Sequence, residues 1–368
     1  MLFFHYQHVA FRPYRFLKDN PYLRNMKSRR HFLKATGILS AAGLLVPTNV
    51  LATAFTEYPG ILKPPALKPG DTVAISSPAG AVWDAAQVET FAGILRSLGF
   101  QVVFGKTLSA KYGYFAGTDE VRAGEINAFF GDPNIRGIFC MKGGWGCARL
   151  LDKLDFTTIA ANPKVLIGFS DITTLLIAIS AKTGLVTFHG PVGNSGWNTW
   201  TSNVFKQVVT GQTPTPLFCN PATEEKPITL HPGKARGSLV GGNLSVLASL
   251  MGSTYLPDWK GKILFLEDVK EEPYRIDRLL TQLKLCGVLD VVSGIVFGRC
   301  AKCLAEEPQK AFTLQEVLTQ HIVPLGIPAF YGAMIGHIEN KLTLPLGIAA
   351  EIDASAGTLQ LLEAAVAT

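Results

Sequence analysis

Ser170 lies at a position in this 368-residue chain where a hydroxyl could act as a nucleophile. It follows the apolar run 165–169 and directly precedes a helical pattern at 172–182. A serine on a sharp turn from strand to helix is exposed at the carboxyl edge of a sheet, and Gly168 gives such a turn steric room. Position 172 is Ile, so the hydrolase pattern G-x-S-x-G is incomplete. Ser170 as an N-cap residue of the helix fits the same local pattern.

A serine nucleophile needs a general base, and the chain offers few. Four histidines lie beyond residue 54, namely His189, His231, His321 and His337. His337 and His189 each end a predicted strand, whereas His321 lies in a helical pattern and His231 in a polar stretch. We therefore take His337 as the candidate base and His189 as its rival. A histidine at the end of a strand is more often structural when it has no partners.

The third group of such a site is a carboxylate that orients the imidazole. Glu267 and Asp268 follow the apolar strand predicted at 262–266, and Glu267 is the first acid at its edge. The acids at 271, 272 and 277 fall in the next loop and helix, where solvated or capping roles are common. An acid after a strand is commonplace, so Glu267 gains weight only together with Ser170 and His337.

Strands and helices alternate in the first half of the chain, and this alternation indicates how the serine is held. Short apolar runs predict strands, and apolar residues at 3.6-residue spacing predict helices. The predicted strands are 72–76, 101–104, 137–141, 165–168 and 186–188, and the predicted helices are 86–98, 119–130, 147–151 and 172–182. The pattern is typical of an α/β fold whose mostly parallel sheet carries helices on both faces.

The pattern changes after a polar, proline-containing stretch at 194–232, which we predict to be a linker. Beyond it, residues 239–243 open a helix that reaches 250, short strands follow at 262–266, 294–298, 329–336 and 343–345, helices at 275–286 and 314–322, and a hairpin pairs 349–352 with 358–362. The predicted organisation is a leader at 1–54, an N-terminal α/β domain at 67–193 that carries the nucleophile, the linker, and a smaller β-rich C-terminal domain at 233–368 that carries Glu267 and His337.

Charge and cysteine content exclude several classes of function. The formal charge is +6, but residues 1–54 hold eight basic residues and one acid, which leaves 26 basic and 27 acidic residues in the body. The body therefore has no electrostatic footprint for nucleic acid. Cys300 and Cys303 form a lone C-x-x-C, which fits a redox pair, half of a zinc site or two buried small side chains. No second ligand pair accompanies it, so we expect no metal and no cofactor.

The first 54 residues have the order of an export signal. A basic segment at 27–34 contains Arg29 and Arg30, an apolar run of about ten residues follows at 37–46, and Ala52-Thr53-Ala54 provides a small-x-small cleavage site. The apolar run is too short to span a bilayer, which needs about 20 residues. The paired arginines resemble a twin-arginine signal, so we expect a periplasmic or otherwise exported protein that begins near Phe55 and has no integral membrane segment. An amphipathic helix is the alternative, which the glycines and Pro47 disfavour.

Six sequence blocks stand out along the chain. The blocks are Gly113-Tyr114-Phe115-Ala116-Gly117-Thr118-Asp119, Lys142-Gly143-Gly144-Trp145-Gly146, Gly168-Phe169-Ser170-Asp171, Gly241-Gly242-Asn243-Leu244, Leu266-Glu267-Asp268 with Arg275-Ile276-Asp277-Arg278, and Gly336-His337 before Leu344-Pro345-Leu346-Gly347. They occur in the order expected of the LD-carboxypeptidase family, so over about 67–362 the chain resembles that family of serine peptidases. The second block departs from the usual Arg-Gly-Gly-Tyr-Gly at Lys142 and Trp145.

The resemblance implies a role for each of these residues. Ser170 is the implied nucleophile, His337 the base and then acid, and Glu267 its orienter, while the oxyanion hole uses backbone N–H groups of Gly143, Gly144 and Asp171. We take Trp145, Asn243 and Arg275 as candidate substrate-binding residues, with Arg278 as another guess for the carboxylate clamp. A phosphate cradle is the competing interpretation of the glycines, but neither G-x-G-x-x-G nor a P-loop lysine is present.

The implied activity is removal of terminal D-alanine from peptidoglycan (muramoyl) tetrapeptides by way of an acyl-enzyme, without metal. A microcin-immunity-like hydrolase of peptide or acyl-adenylate conjugates is the first alternative, and a muropeptide-binding protein without turnover is the second. The partners we expect are peptidoglycan-derived peptides and a second copy of the chain in a homodimer, with no nucleic acid.

The export signal yields a direct test. Replacing Arg29 and Arg30 together by Lys keeps the charge, but it should leave unprocessed precursor in the cytoplasm because the signal is read by a receptor. Fractionation and immunoblotting of producing cells would measure this. An unchanged periplasmic yield of the double variant would contradict the twin-arginine route.

Overall fold

The structure is a computed structural model that describes residues 60–212 and 215–368. The predicted leader at 1–54 lies outside the described residues. The described residues group into a single unit. The apolar side chains of this unit pack on two sheets, one of six strands and one of eight.

The six-stranded sheet positions the serine. Its strands are β1 (Thr72–Ser76), β2 (Gln101–Phe104), β3 (Ile135–Cys140), β4 (Val165–Gly168), β5 (Phe188–His189) and β12 (Leu344–Pro345), in the order β12-β5-β4-β3-β1-β2. All neighbours pair in parallel except β12, which is antiparallel to β5. The helices of this part are α1 (Ala85–Ser97), α2 (Asp119–Gly131), α3 (Phe156–Ala161), α4 (Thr173–Thr183) and α5 (Thr199–Val209). The mixed α/β fold with a helix-flanked parallel sheet is as predicted.

The eight-stranded sheet holds the carboxylate and is completed by strands from across the second half of the chain. Its strands are β6 (Leu217–Phe218), β7 (Ile228–His231), β8 (Lys234–Asn243), β9 (Ile263–Val269), β10 (Gly294–Ala301), β11 (Ala329–Ala333), β13 (Ala349–Asp353) and β14 (Thr358–Leu361), in the order β6-β14-β13-β8-β9-β10-β11-β7. The central strands β8 to β11 are parallel. Helices α6 (Leu244–Ser249), α7 (Pro273–Leu285) and α8 (Leu314–Ile322) connect them.

Three predicted segments differ from the structure. The α-helix predicted at 147–151 is a 3-10 helix over Cys147–Lys153. Residues 239–243 were predicted to open a helix, but they end the ten-residue strand β8, and α6 begins only at Leu244. The strand was not predicted because two adjacent glycines weaken the strand pattern. The predicted linker at 194–232 contains α5, whose Phe205 packs 5.7 Å from the ring of Phe139 in the core. The domain boundaries themselves stay a prediction.

The C-x-x-C pair is closed, since Cys300 and Cys303 form a disulfide at the end of β10. The two side chains are therefore bonded to each other and are not two separate buried thiols. Cys140 and Cys147 are free and buried, whereas Cys219 and Cys286 are free and exposed. In the described part of the chain, no helix has the length and apolar composition that crossing a membrane requires.

Gly241 in β8 is a packing constraint on the second sheet. Its φ is +149°, and a Cβ built there would lie 1.8 Å from the backbone oxygen of Phe265 in β9. Gly241→Ala should therefore lower the free energy of unfolding by about 2 kcal/mol or more.

Gly93 in α1 is the matched control, because a Cβ there meets no atom within 4 Å. Gly93→Ala should be neutral or stabilise by up to about 1 kcal/mol, since alanine is the better helix former. Urea titration of both variants measures the difference. Equal stability of the two variants would contradict this account of the β8–β9 packing.

Candidate active site

Ser170 occupies a strained turn between β4 and α4. Its φ is +63°, in the left-handed region that non-glycine residues rarely adopt and that costs about 1–3 kcal/mol. A short 3-10 turn, Ser170–Ile172, leads into α4. The N-cap positions of this turn and of α4 are Phe169 and Ile172, and neither has a side-chain capping bond. Ser170 is therefore not a helix cap, and the strain instead presents its hydroxyl at the carboxyl edge of the sheet.

The glycine turn after β3 lies against this serine. A Cβ on Gly143 would come within 2.9 Å of Ser170 Oγ and 3.4 Å of the backbone nitrogen of Asp171, so only glycine permits the approach. Gly144 has φ +133° and packs equally closely on Gly80. The side chain of Asp171 is tied to the end of the same turn, because its Oδ2 accepts a 2.9 Å hydrogen bond from the backbone nitrogen of Cys147. Of the three predicted oxyanion residues, Gly143 and Asp171 therefore lie against the hydroxyl of Ser170, and Gly144 is the next residue of the same turn.

His337 is paired with a fully buried carboxylate. The distance from His337 Nδ1 to Glu267 Oε2 is 2.9 Å, and the imidazole is partly exposed while Glu267 is wholly buried. Gly336, with φ +118°, makes this possible, because a Cβ there would lie 2.8 Å from Glu267 Oε2. The ring of His337 also packs edge-on against Phe169, with centroids 4.7 Å apart. Phe169 directly precedes Ser170, so the imidazole lies next to the serine turn.

Asn243 ends β8 and holds the carboxylate from the other side. Its Nδ2 donates to Glu267 Oε1 and to Asp268 Oδ1, each at 3.1 Å, and its backbone nitrogen donates to Thr173 Oγ1 at the start of α4. Asn243 Oδ1 accepts from Ser245 Oγ. The side chain is buried and its polar atoms are engaged inside the protein. Predicted as a substrate-binding residue, Asn243 is thus placed by the structure to position Glu267.

The pKa values of the two adjacent acids move in opposite directions. Burial raises the pKa of Glu267, but the hydrogen bond and charge of His337, together with Asn243, bring it below its ordinary value. Burial and the neighbouring Glu267 raise the pKa of Asp268 to about 6. Glu267 is therefore the acid held ionised beside the imidazole, as an orienting carboxylate must be.

The rival histidine is in a different environment. His189 is buried between the rings of Phe169 and Phe265, and burial lowers its pKa to about 4. Its Nδ1 has no hydrogen-bond partner among the described residues. Lys341 is a nearby cation that the sequence analysis did not identify. It is buried, and its Nζ lies 5.5 Å from the ring centroid of Phe169. Burial lowers the pKa of this amine.

Two further candidates are exposed. Trp145 follows the glycine turn and its ring meets that of Tyr114 edge-on at 6.0 Å. Arg275 lies on α7, where it faces Glu271 at 3.8 Å and the ring of Tyr274. Trp145 adjoins the serine turn, whereas the contacts of Arg275 are with its own helix and the preceding loop. Within residues 60–212 and 215–368, no group of three His, Cys, Asp or Glu side chains is arranged to hold a metal ion.

Comparison with known proteins identifies the family. A model of the LD-carboxypeptidase N-terminal domain matches residues 73–190, and a model of the C-terminal domain of the same family matches residues 236–352. The chain belongs to the LD-carboxypeptidase family. The family match confirms the resemblance that the sequence blocks indicate.

The similarity to known proteins extends over nearly the whole length of each of them. A probable murein peptide carboxypeptidase of Bacillus subtilis is 40% identical, over 80% of this chain and 93% of the relative. The microcin C7 self-immunity protein MccF, found in Escherichia coli, has a solved structure with TM-score 0.77 and 30% identity, covering 83% of this chain and 100% of that one. A muramoyltetrapeptide carboxypeptidase of Oxalobacter formigenes has TM-score 0.70 and 31% identity, covering 79% and 97%.

The role of Asn243 can be tested through the acid side of the pH profile. Without its amide, Glu267 loses a donor that lowers its pKa, so less of it is ionised at a given acidic pH. Asn243→Ala should lower kcat/KM by about tenfold or more and make activity fail at a higher pH than in the wild type.

Ser245→Ala is the matched control for Asn243→Ala. Ser245 Oγ bonds Asn243 Oδ1 and approaches Asp268, but its bonds do not include Glu267. The control should keep the wild-type profile. Rates measured between about pH 4 and 8, across the ordinary Glu and His pKa values, decide the matter, and an acid limb that stays in place in Asn243→Ala would refute the positioning role.

Proposed function

We propose that this chain is a serine-type LD-carboxypeptidase that removes the terminal D-alanine from muramoyl tetrapeptides of peptidoglycan through an acyl-enzyme. The observation that carries the proposal is the 2.9 Å pair of His337 with the buried Glu267 beside the strained turn of Ser170. The names of the relatives, a murein peptide and a muramoyltetrapeptide carboxypeptidase, support the substrate class.

In the proposed reaction, Ser170 Oγ attacks the carbonyl of the residue before D-alanine while His337 accepts its proton. The carbonyl oxygen becomes an oxyanion that the backbone N–H groups of Gly143, Gly144 and Asp171 stabilise, at roughly 3 kcal/mol per donor. Collapse of the intermediate breaks the amide bond, and His337 returns the proton to the departing amine. Water, activated by the same imidazole, then hydrolyses the ester and restores Ser170.

Glu267 has an electrostatic and geometric part in these steps. Its carboxylate accepts the hydrogen bond from Nδ1, which fixes the ring so that Nε2 serves the hydroxyl, and it stabilises the imidazolium that forms. The buried His189 contributes no proton transfer in this scheme, because its pKa of about 4 and its burial keep it neutral. We also propose that the protein acts outside the cytoplasm, on the basis of the leader at 1–54.

A second candidate is hydrolysis of microcin-like conjugates. The likeness to MccF, whose solved complex contains aspartyl sulfamoyl adenosine, favours it. Both candidates use the same triad and differ only in the group that the site accepts. Digestion of defined substrates therefore distinguishes the two candidate activities.

Digestion of defined muropeptides tests the proposal. A site shaped for an L-centre before the bond and D-alanine after it holds only one arrangement of substituents at the scissile carbonyl. The mature protein should therefore trim a tetrapeptide to a tripeptide and leave the D-Ala-D-Ala bond of a pentapeptide intact, as read by mass spectrometry. Preferential cleavage of the pentapeptide, or of an aspartyl sulfamoyl adenosine-type conjugate, would overturn the substrate assignment.

Variants of the same protein test the residues. Ser170→Ala and His337→Ala should each lower kcat on the tetrapeptide by about 10³-fold or more with the fold intact, whereas His189→Gln should cost far less. Near-normal turnover by Ser170→Ala would contradict the serine mechanism. Absence of turnover in the wild type on every substrate would favour a muropeptide-binding protein.

A further inference from the structure

Four exposed aromatic residues are carried by the loops around the glycine turn, and they have no part in the proposed chemistry; the rings of Tyr114 and Trp145 meet at 6.0 Å. Trp83, Tyr114 and Trp145 are 68%, 61% and 68% exposed, although large aromatic side chains are usually well covered. Tyr112, at 58%, lies in the same loop as Tyr114. We call Trp83, Tyr112, Tyr114 and Trp145 the aromatic platform.

The loops that carry the platform are tied to the serine turn by backbone hydrogen bonds. The nitrogen of Ala81 donates to the oxygen of Tyr114 at 2.9 Å, and the nitrogen of Gly80 donates to the oxygen of Gly143 at 3.2 Å. Gly143 is the residue whose backbone contacts Ser170. The platform and the proposed oxyanion turn therefore belong to one continuous surface.

A buried arginine ties the loops of the platform together from below. The platform residues lie on three loops, 77–84, 109–118 and 141–146. Arg122 is fully buried, and its Nη1 donates to the carbonyls of Pro78 in the first loop and Gly146 in the third. Its guanidinium lies 4.5 Å from the ring centroid of Phe115, which neighbours Tyr114 in the loop 109–118. Its Nη2 pairs with Asp119 at 2.6 Å. A buried charge that joins three loops fixes their backbones relative to one another, so the Cα positions of the exposed aromatic residues are set before any ligand arrives.

The distance from Ser170 suits one part of a muramoyl peptide. In a muramoyl tetrapeptide, three residues separate the scissile carbonyl from the sugar, which is about 10 Å in an extended chain. Trp145 is two residues from Gly143, so its Cα lies within about 7 Å of that contact and its side chain reaches further. The sugar of a bound substrate therefore falls within reach of the platform.

The chemistry of the platform also fits a sugar. Indole and phenol rings present apolar faces together with polar N–H and O–H groups, which suits a ligand that is apolar on one face and hydroxylated at its edge. The ammonium of Lys111 lies 5.0 Å from the ring centroid of Trp83 and adds positive charge towards an anionic peptide. A sugar suits the platform better than a protein partner does. The exposed area of four side chains is smaller than the area that each partner buries in a stable protein interface, which is about 800 Å².

We propose that Trp83, Tyr114 and Trp145 form a glycan subsite that binds the amino-sugar end of the muropeptide substrate. This inference rests on the proposed function for its ligand class, and it adds a preference for sugar-bearing over bare peptides. The platform would act in binding, remote from the reacting atoms.

Binding to the full mature chain carrying Ser170→Ala tests the subsite apart from turnover. Calorimetry with a disaccharide tetrapeptide and with the bare tetrapeptide should give a Kd about tenfold or more tighter for the sugar-bearing ligand. Adding Trp83→Ala and Tyr114→Ala should abolish that advantage and leave the Kd of the bare peptide unchanged, which also reports an intact fold. Tyr274→Ala, an aromatic residue 49% exposed on α7, is the matched control and should keep the advantage.

Three results would overturn the subsite. They are equal affinity for both ligands in the parent, an advantage that survives the double variant, and light scattering that shows the double variant to split a dimer while sugar has no effect on affinity. Failure of the proposed function looks different. A wild-type protein that releases no D-alanine, while its Ser170→Ala form still prefers the sugar-bearing peptide, contradicts the carboxypeptidase and leaves the glycan subsite standing.

Discussion

The hydrogen bond between His337 Nδ1 and the buried carboxylate of Glu267 is the interaction on which the rest of the site depends. Taking a carboxylate out of water costs several kcal/mol unless its oxygens are bonded. Glu267 meets this requirement with His337 on one oxygen and Asn243 on the other. The parallel register of β8 and β9, which sets Asn243 opposite Glu267, is therefore a condition for the site and not only for the sheet.

The same constraint links the two sheets. Asn243 bonds Thr173 through its backbone nitrogen, and Thr173 begins the helix that follows the turn of Ser170. A shift of β8 would move the carboxylate and the start of this helix together. The strain of about 1–3 kcal/mol in the backbone of Ser170 is tolerated because β4, α4 and the glycine turn all fix that residue from outside. Strain of this kind is typical of residues that a fold holds in place for a function.

Much of this architecture could be predicted from local sequence, because it rests on local patterns. The apolar run at 165–168 before a helical pattern predicts β4, the turn and α4, and the structure has them at Val165–Gly168 and Thr173–Thr183. The edge position of Glu267 follows in the same way from the strand before it. Strand β8 could not be found so easily, since Gly241 and Gly242 weaken a strand pattern. Only the contacts of Gly241 with Phe265 and of Gly242 with Thr173 explain why glycine is needed at both positions.

Contacts between distant segments were beyond sequence reasoning. Asn243 in a glycine-rich block suggested a substrate contact, and only the fold places its amide between two buried acids 24 and 25 residues away. His189 and His337 both follow predicted strands, yet burial separates them, because His189 is enclosed by Phe169 and Phe265. Helix α5 was missed because its polar flanks are typical of a linker, while the packing of Phe205 on Phe139 supplies its stability.

Detection of the acyl-enzyme is the decisive test of Ser170 as the nucleophile. The mature protein would be mixed with the tetrapeptide, quenched in acid within milliseconds to seconds and examined by intact-protein and peptide mass spectrometry. We expect a covalent adduct on Ser170 with the mass of the tripeptide acyl group, and we expect no adduct in Ser170→Ala. Release of D-alanine at full rate with the adduct on another residue, or unchanged release by Ser170→Ala, would contradict this role of Ser170.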